Sequence, residues 1–495
     1  MSLIKKYGIY INGEWKENTE NSFYSINPYN QEKWAKITQA SESDVRESIK
    51  VANTAFEQWK NVSGRKRAEL IYNFAKLLEE NIERLAILET TDNGKILRET
   101  RNQMKFAARN YLFFAGYADK INGNTIPLDN NSLFNYTKRI PLGVVALITS
   151  WNSPISILTN KLAPALASGN TVIIKPSEYA SVTTLELVKL IEEAGFPKGV
   201  VNVITGDSKV GKWLTESKGI NKVSFTGGTE TGKIIAKNTS NTLTKNTLEL
   251  GGKSPNIVFE DANINAAVTG AVAGIFGAAG QTCIAGSRLF IQKTIYDEFL
   301  QKLVAKASKI KLGNPLKKDT EMGPIANKAQ YKKIKDSIIN AVQEGLNMAL
   351  GYKDFENQLE SLEETGYFIP PTIFTNVENK SNIAQNEIFG PVLSVTPFNN
   401  VSDVIEMANN TDFGLAAGIW TNDLQRAHNL ADEIDAGTIW INTYRSTAAQ
   451  APFGGFKNSG YGKERGKEAL LEYTKIKNIM VNLSKEVRDP FTIEN

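Results

Sequence analysis

Between Val144 and Lys237, strand-like and helix-like runs alternate at a spacing that few folds accommodate. Val144-Val-Ala-Leu-Ile148 is apolar throughout, as a strand buried on both faces must be. A helix is expected from about Pro154 to Ser168, a strand over Thr171–Ile174 and a helix from Ser181 to Ala194. The strand Val200–Ile204, helix Gly211–Glu216, strand Lys222–Phe225 and helix Thr229–Lys237 continue the alternation. Such a block predicts an α/β fold with a parallel sheet, and a ligand at the carboxyl ends of its strands.

The flanking segments read differently. Short strand-like pieces, Ile9–Ile11 and Glu32–Ala35, surround the turn signals Asn12-Gly13 and Asn27-Pro28. Ser41-Glu-Ser-Asp44 resembles a capping box, and apolar residues then recur at helical spacing through Val45, Ile49, Ala52, Ala55, Phe56 and Trp59. Two further helices are expected, Arg65–Leu88 and Lys95–Ile121, before residues 122–140 leave the pattern. Beyond residue 251 a second α/β region is expected. Its helices are Ile264–Ala279, Thr294–Ile310, Ala326–Glu344, Ser402–Asn409 and Leu424–Ile434, with strands Arg288–Gln292, Leu415–Trp420 and Thr438–Asn442. Residues 311–323 and 352–366 read as polar connections.

Composition narrows the function. With 495 residues, about three units, or two large ones sharing a return segment, are expected at roughly 150 residues each. A net charge of +4 with both signs interspersed leaves no basic stripe for nucleic acid. The longest apolar run, Ala266–Gly280, is too short and glycine-rich for a membrane span, and the N-terminus lacks a signal peptide's apolar core. A single cysteine forms no internal disulfide and suits a reducing, cytoplasmic setting.

That cysteine, Cys283, lies in Gly280-Gln-Thr-Cys-Ile-Ala-Gly-Ser-Arg288, between a small-residue helix and a strand. A lone cysteine is either an inert small hydrophobe or a nucleophile, and a nucleophilic thiol needs a base or a positive neighbourhood. The only histidine, His428, sits in what reads as an exposed amphipathic helix, so the base is expected to be a carboxylate. Glu249 is the candidate: it stands between two leucines at a strand end, 34 positions before Cys283 (283 − 249). Asn152, in Thr149-Ser-Trp-Asn-Ser-Pro154, is either a turn residue or an amide donor to an oxyanion. The glycines of Phe225-Thr-Gly-Gly-Thr-Glu-Thr-Gly232 either form a tight strand-to-helix turn or aim free N–H groups at an anion. No Gly-x-Gly-x-x-Gly follows a strand.

Glu249-Leu-Gly-Gly-Lys253 and Gly280-Gln-Thr-Cys283 resemble the paired active-site signatures of the NAD(P)-dependent aldehyde dehydrogenase superfamily, in its non-acylating, hydrolytic form. The resemblance runs from about residue 8 to 482 and includes Glu387-Ile-Phe-Gly-Pro-Val392 and the glycine-rich loop Ala451–Gly466. It implies a Rossmann-type cofactor domain (1–121 and 140–251, with 460–475 returning to it) and a catalytic domain (252–459). Residues 122–139 and 476–495 become an oligomerisation segment of a homodimer or homotetramer, with the tail from 485 draped over the surface. It also implies oxidation of an aldehyde to a carboxylic acid through a thiohemiacetal and a thioester. In that scheme Cys283 is the nucleophile, Glu249 the base and Asn152 an oxyanion donor. No catalytic metal is implied.

By the same resemblance the cofactor lies along Ile148, Thr149, Ser150, Trp151, Lys175, Ser177, Glu178, Phe225, Gly227, Gly228, Thr231, Leu250, Gly251, Gln330, Glu387 and Phe389. Glu178 favours NAD+ over NADP+, because a carboxylate there repels a 2′-phosphate. The substrate tunnel is Ser153, Ser156, Ile157, Asn160, Thr282, Ile284, Thr447 and Phe453. Common family residues are replaced at Ser150 (proline), Ser153 (phenylalanine) and Gly228 (serine), and aromatics are missing at Asn160 and Thr447. The expected tunnel is wide and polar, suited to a functionalised or aromatic aldehyde. Gly277 stands where succinic-semialdehyde enzymes carry an arginine, and Arg445 either supplies a cation instead or, as its segment reads, is an exposed loop residue. Glu249 argues against a coenzyme A-acylating relative, and the retained thiol and base argue against a silent structural descendant. A thiol hydrolase without a cofactor is the remaining alternative.

Overall fold

The order of five parallel strands decides where a ligand can sit. In the computed structural model, which describes residues 4–485 and 491 apart from 361 and 363–365, these strands centre an eight-stranded sheet. Across the sheet run Gly460–Tyr461, Lys245–Glu249, Lys222–Thr226, Val144–Ile148, Thr171–Lys175, Val201–Val203, Ile9–Ile11 and Glu14–Lys16. Val144–Ile148 pairs in parallel with Thr171–Lys175 on one side and Lys222–Thr226 on the other. Successive crossovers therefore leave it in opposite directions, which opens a crevice at its carboxyl end. All five residues of Val144–Ile148 are buried, which accounts for their unbroken apolar run.

A second sheet of seven strands runs Asn347–Leu350, Thr372–Thr375, Val392–Phe398, Arg288–Gln292, Pro255–Val258, Ala416–Trp420 and Thr438–Ile441, parallel except at its first pair. The chain crosses between the sheets over residues 250–254, so Glu249 ends a strand of one and Pro255 begins a strand of the other. It returns through Gly460–Tyr461, which pairs antiparallel with Leu248 and Glu249. A three-stranded antiparallel sheet joins Thr474–Asn482, Leu133–Pro141 and Thr125–Ile126. Thr474–Asn482 thus finds one pairing partner within its own chain, and Phe134, Ile476 and Met480 are exposed on this sheet. The tail expected to drape over the surface lies outside the described residues, except for 485 and 491.

Several helix boundaries differ from expectation. The expected helix 65–88 is two, Gly64–Glu80 and Ile82–Asn93. They meet at Asn81, whose side-chain amide donates to Leu77 O at 2.8 Å, the local bonding by which asparagine competes with helix continuation. The second of these stops at Gly94 in the left-handed conformation, and Leu97–Ala115 follows. Farther on, the helix expected to reach Ala279 stops at Phe276, and Ala278 and Ala279 take φ values of 56° and 51°. Residues 352–366 are not wholly polar connection, because Glu356–Leu359 is helical and Phe355 and Leu359 are buried. Among the described residues no helix is long and apolar enough to cross a membrane.

Asp92 ties the N-terminal strands to this framework. It is fully buried, and its carboxylate accepts from the Ser25 hydroxyl and from Val182 N–H at 3.0 Å. Burial pushes its pKa from 3.8 to about 7 against those hydrogen bonds. Because the folded value exceeds the unfolded one, this group's contribution to stability is complete below the unfolded value and is lost as pH rises through about 7. In Asp92→Asn the amide can keep both contacts without a charge. Its stability relative to the parent is expected to improve by roughly 2–3 kcal/mol between pH 5 and pH 8. Denaturant titration at the two pH values checks this, and a pH-independent offset would contradict it.

Candidate active site

Cys283 follows the tight turn Gly277–Gly280 and precedes the strand Arg288–Gln292, placed against the small apolar cluster of Ile284, Leu415, Ala416 and Trp440. Gly252 lets the crossing segment approach it: a Cβ there would lie 2.4 Å from Cys283 O. Where the two sheets meet, a cavity of about 460 Å³ is lined by Cys283, Glu249 and Asn152 together. Three residues far apart in the chain thus share one space. Asn152 donates through its amide to Gln281 O at 2.9 Å and accepts from Ser150 Oγ at 2.7 Å, which orients the side chain and leaves a second amide hydrogen. The Cys283 N–H has no hydrogen-bond partner among the described residues.

Glu249 is 3% exposed, and neither carboxylate oxygen has a hydrogen-bond partner. Burial raises its pKa well above the carboxylate range, and the neighbouring Glu464 raises it further. Burial likewise pushes the Cys283 thiol up to about 12, with Glu249 and Glu387 adding to the effect. Burial thus disfavours the charged form of each. A proton passing from the thiol to the ionised carboxylate is the route to a nucleophile that this pairing offers, and the lone histidine, His428, is exposed on the helix Leu424–Glu433.

Most of the expected cofactor residues line the same cavity: Ser150, Trp151, Gly227, Gly228, Leu250, Gly251, Gln330, Glu387 and Phe389. Glu387 accepts from Gly252 N–H at 3.0 Å, and a Cβ at Gly251 would sit 2.5 Å from Glu387 Oε2. Gln330 donates to Ile388 O and Phe389 O at 2.7 and 3.0 Å, and Trp151 meets Phe389 edge to face. Ile148, Thr149, Lys175, Ser177, Glu178, Phe225 and Thr231 lie outside the cavity lining, on or just beyond the neighbouring strand ends. Gly228 caps the helix Thr229–Ser240 without a side-chain bond, and a Cβ there would meet nothing within 4 Å. The buried Thr149 and Thr226 hydroxyls also have no partner. Free helix N–H groups and orphaned hydroxyls at the switch point suit a ligand bearing phosphates and ribose hydroxyls.

The family model for the aldehyde dehydrogenase family matches residues 15–479. The chain belongs to the aldehyde dehydrogenase family. It is an oxidoreductase, and its α/β fold is the family's. It is 42% identical to (Z)-2-((N-methylformamido)methylene)-5-hydroxybutyrolactone dehydrogenase of Acinetobacter baylyi, over 99% of this chain and 100% of the relative. It is 41% identical to betaine aldehyde dehydrogenase of Bacillus subtilis, over 96% and 97%. The crystal structure of betaine aldehyde dehydrogenase from Staphylococcus aureus in complex with NAD+ superposes with a TM-score of 0.94 at 40% identity, covering 98% of this chain and 97% of that one.

On its other side the cavity of this aldehyde dehydrogenase is walled by the expected tunnel residues Ser153, Ser156, Ile157, Asn160, Thr282, Ile284, Thr447 and Phe453. The wall also holds residues the sequence did not single out: Lys95, Asn102, Gln103, Phe106, Glu464 and Arg465. Lys95 donates to Ser153 Oγ at 2.6 Å, and burial lowers its pKa to about 8 against the pull of Glu99 and Glu89. Glu464 is ion-paired with Lys161, both buried. Arg445 is not simply an exposed loop residue. It lines the cavity and donates to Ala273 O at 3.1 Å, and a Cβ at Gly277 would lie 2.1 Å from its Nη1. Its guanidinium fills the space that glycine leaves empty.

Proposed function

We propose that the chain oxidises an aldehyde to a carboxylic acid, with Cys283 as nucleophile and Glu249 as base. The observation that carries this reading is the buried Glu249 carboxylate, unpartnered and facing the cavity that Cys283 lines. Glu249 takes the thiol proton, and the sulfur adds to the aldehyde carbon to form a thiohemiacetal. The oxyanion is held by the Cys283 N–H and the free amide hydrogen of Asn152. NAD+, when bound along the strand ends, supplies the acceptor for the hydride whose loss leaves a thioester on Cys283. Once Glu249 has passed that proton to solvent, it draws another from a water molecule, whose oxygen attacks the thioester; the Cys283 thiolate leaves, is reprotonated by Glu249, and the acid is released.

Thr149, Thr226 and the helix N-terminus after Gly228 would hold the dinucleotide, together with Gln330 and Glu387. Glu178, 3.9 Å from the buried Lys175 amine, disfavours a 2′-phosphate, so NAD+ is the preferred cofactor. The apolar side chains exposed on the three-stranded sheet support a homo-oligomer. The purified chain should form NADH and a carboxylic acid from a neutral aldehyde, faster with NAD+ than with NADP+ and no faster when coenzyme A is added. Acceleration by coenzyme A, or ester cleavage unaffected by NAD+ with no NADH formed, would overturn the assignment.

A further inference from the structure

Arg465 is a cation of the tunnel wall, and its guanidinium is set between two aromatic rings. Its Nε donates to Asn160 Oδ1 at 3.3 Å, and no carboxylate forms an ion pair with it among the described residues. The adjacent Glu464 is paired with Lys161 instead. The guanidinium is held between two rings, with Cζ 5.0 Å from the centre of Phe106 and 5.1 Å from that of Phe453. All three side chains line the cavity with Cys283. Two aromatic faces fix the plane of the fork without satisfying its donors, and a planar fork of this kind suits a carboxylate.

The backbone carries a second sign. Arg465 has φ 60° and ψ 174°, a region that is essentially glycine's, at the entry to the helix Gly466–Glu472. A long cationic side chain is kept where glycine would be unstrained, and the outcome is a guanidinium inside the tunnel. Glu464 and Glu249 offset part of its charge, but cations outnumber carboxylates around the cavity. Four cations line the cavity, Lys95, Lys333, Arg445 and Arg465, against three carboxylates, Glu249, Glu387 and Glu464. Of those three, burial favours the neutral form of Glu249 and Glu387.

We propose that Arg465 receives a carboxylate at the far end of the substrate, so that the aldehyde oxidised here is an ω-oxo carboxylate. This rests on the reaction assigned under Proposed function and names its substrate class. The aldehyde carbon is presented to Cys283 while the distal anion sits on the fork between Phe106 and Phe453. A quaternary-ammonium aldehyde meets the same fork as a like charge and is excluded.

The test uses short-, medium- and long-chain ω-oxo carboxylates, each beside its uncharged methyl ester, together with a trimethylammonium aldehyde. The native enzyme should give its highest kcat/KM with one of the carboxylates and its lowest with the cation. In Arg465→Gln, kcat/KM for that carboxylate should fall by about a hundredfold, carried mainly by KM, and the ratio of carboxylate to ester should collapse. Arg465→Lys should restore part of that ratio. Glutarate and adipate titrated calorimetrically onto the native enzyme and onto Arg465→Gln probe the fork without any turnover. Native enzyme that does not prefer carboxylates, equal losses on carboxylate and ester, or dicarboxylate binding untouched by the substitution would each overturn the proposal. Turnover of the esters without a carboxylate preference leaves the reaction assignment standing. NADH formation from no aldehyde removes that assignment, and the dicarboxylate titrations then still decide the role of Arg465.

Discussion

Replacing Cys283 with alanine is expected to abolish aldehyde-dependent NADH formation and leave NAD+ binding intact. Burial pushes the thiol's pKa up to about 12, so little free thiolate is present at neutral pH. Reaction therefore depends on proton transfer within the site; Thr282 is a weak nucleophile and His428 is remote on an exposed helix. The substitution removes one sulfur from the edge of a small apolar cluster, and the residues assigned to the dinucleotide lie on other segments of the chain. A loss of at least about 10⁴-fold in turnover is expected. It should be measured as NADH formation, with NAD+ affinity followed in parallel by quenching of tryptophan fluorescence. A variant retaining more than a small percentage of parental turnover would remove Cys283 from the mechanism.

The first sheet was legible because burial on both faces demands unbroken apolar runs, which Val144–Ile148 supplies in full and Thr171–Lys175 at its three central residues. The second sheet was only half legible. Val392–Phe398 reads Val-Leu-Ser-Val-Thr-Pro-Phe, neither continuous nor alternating, yet six of its seven residues are buried. Its hydroxyls are accommodated by tertiary contacts, such as Thr396 Oγ1 donating to Val377 O at 2.7 Å, which no local pattern encodes. The helix ending at Phe276 makes the same point from the other side. Two alanines would continue a helix by propensity, but Glu99 accepts from Ala278 N–H at 3.0 Å and the Arg445 guanidinium occupies the space beside Gly277.

The site divides along the same line. Cys283 and Glu249 stood out because a single thiol and a carboxylate between leucines are rare in a chain of this length. Lys95, Phe106 and Arg465 did not, because each is unremarkable in its own segment. They meet only when the helix Leu97–Ala115 and the return through Gly460–Tyr461 pack against the helix Pro154–Ala167 and the end of Lys245–Glu249. Residues that act by scarcity can be read from a sequence, whereas residues that act by convergence need the fold.

Glu249→Gln should separate the two halves of the reaction. Glutamine fills the same volume and can still hydrogen-bond, but it accepts no proton, so water activation is lost. If Glu249 serves hydrolysis, the variant should release a burst of about one NADH per active site and then stall with the acyl group on Cys283, its steady-state rate lower by roughly 10²–10⁴-fold. The acyl-enzyme should be visible by mass spectrometry of the quenched protein. Retention of the burst rate would assign the first proton transfer to another acceptor, whereas a burst slowed in proportion to turnover would assign both transfers to Glu249. The pH profile supplies an independent reading. Burial and Glu464 place the Glu249 pKa well above the carboxylate range, and the ionised form is the active one. Parental kcat should therefore decline as pH falls through that raised value, and the decline should vanish in the variant's residual rate. A variant with undiminished steady-state turnover, or with an unchanged acid limb, would show that the buried carboxylate is not the base.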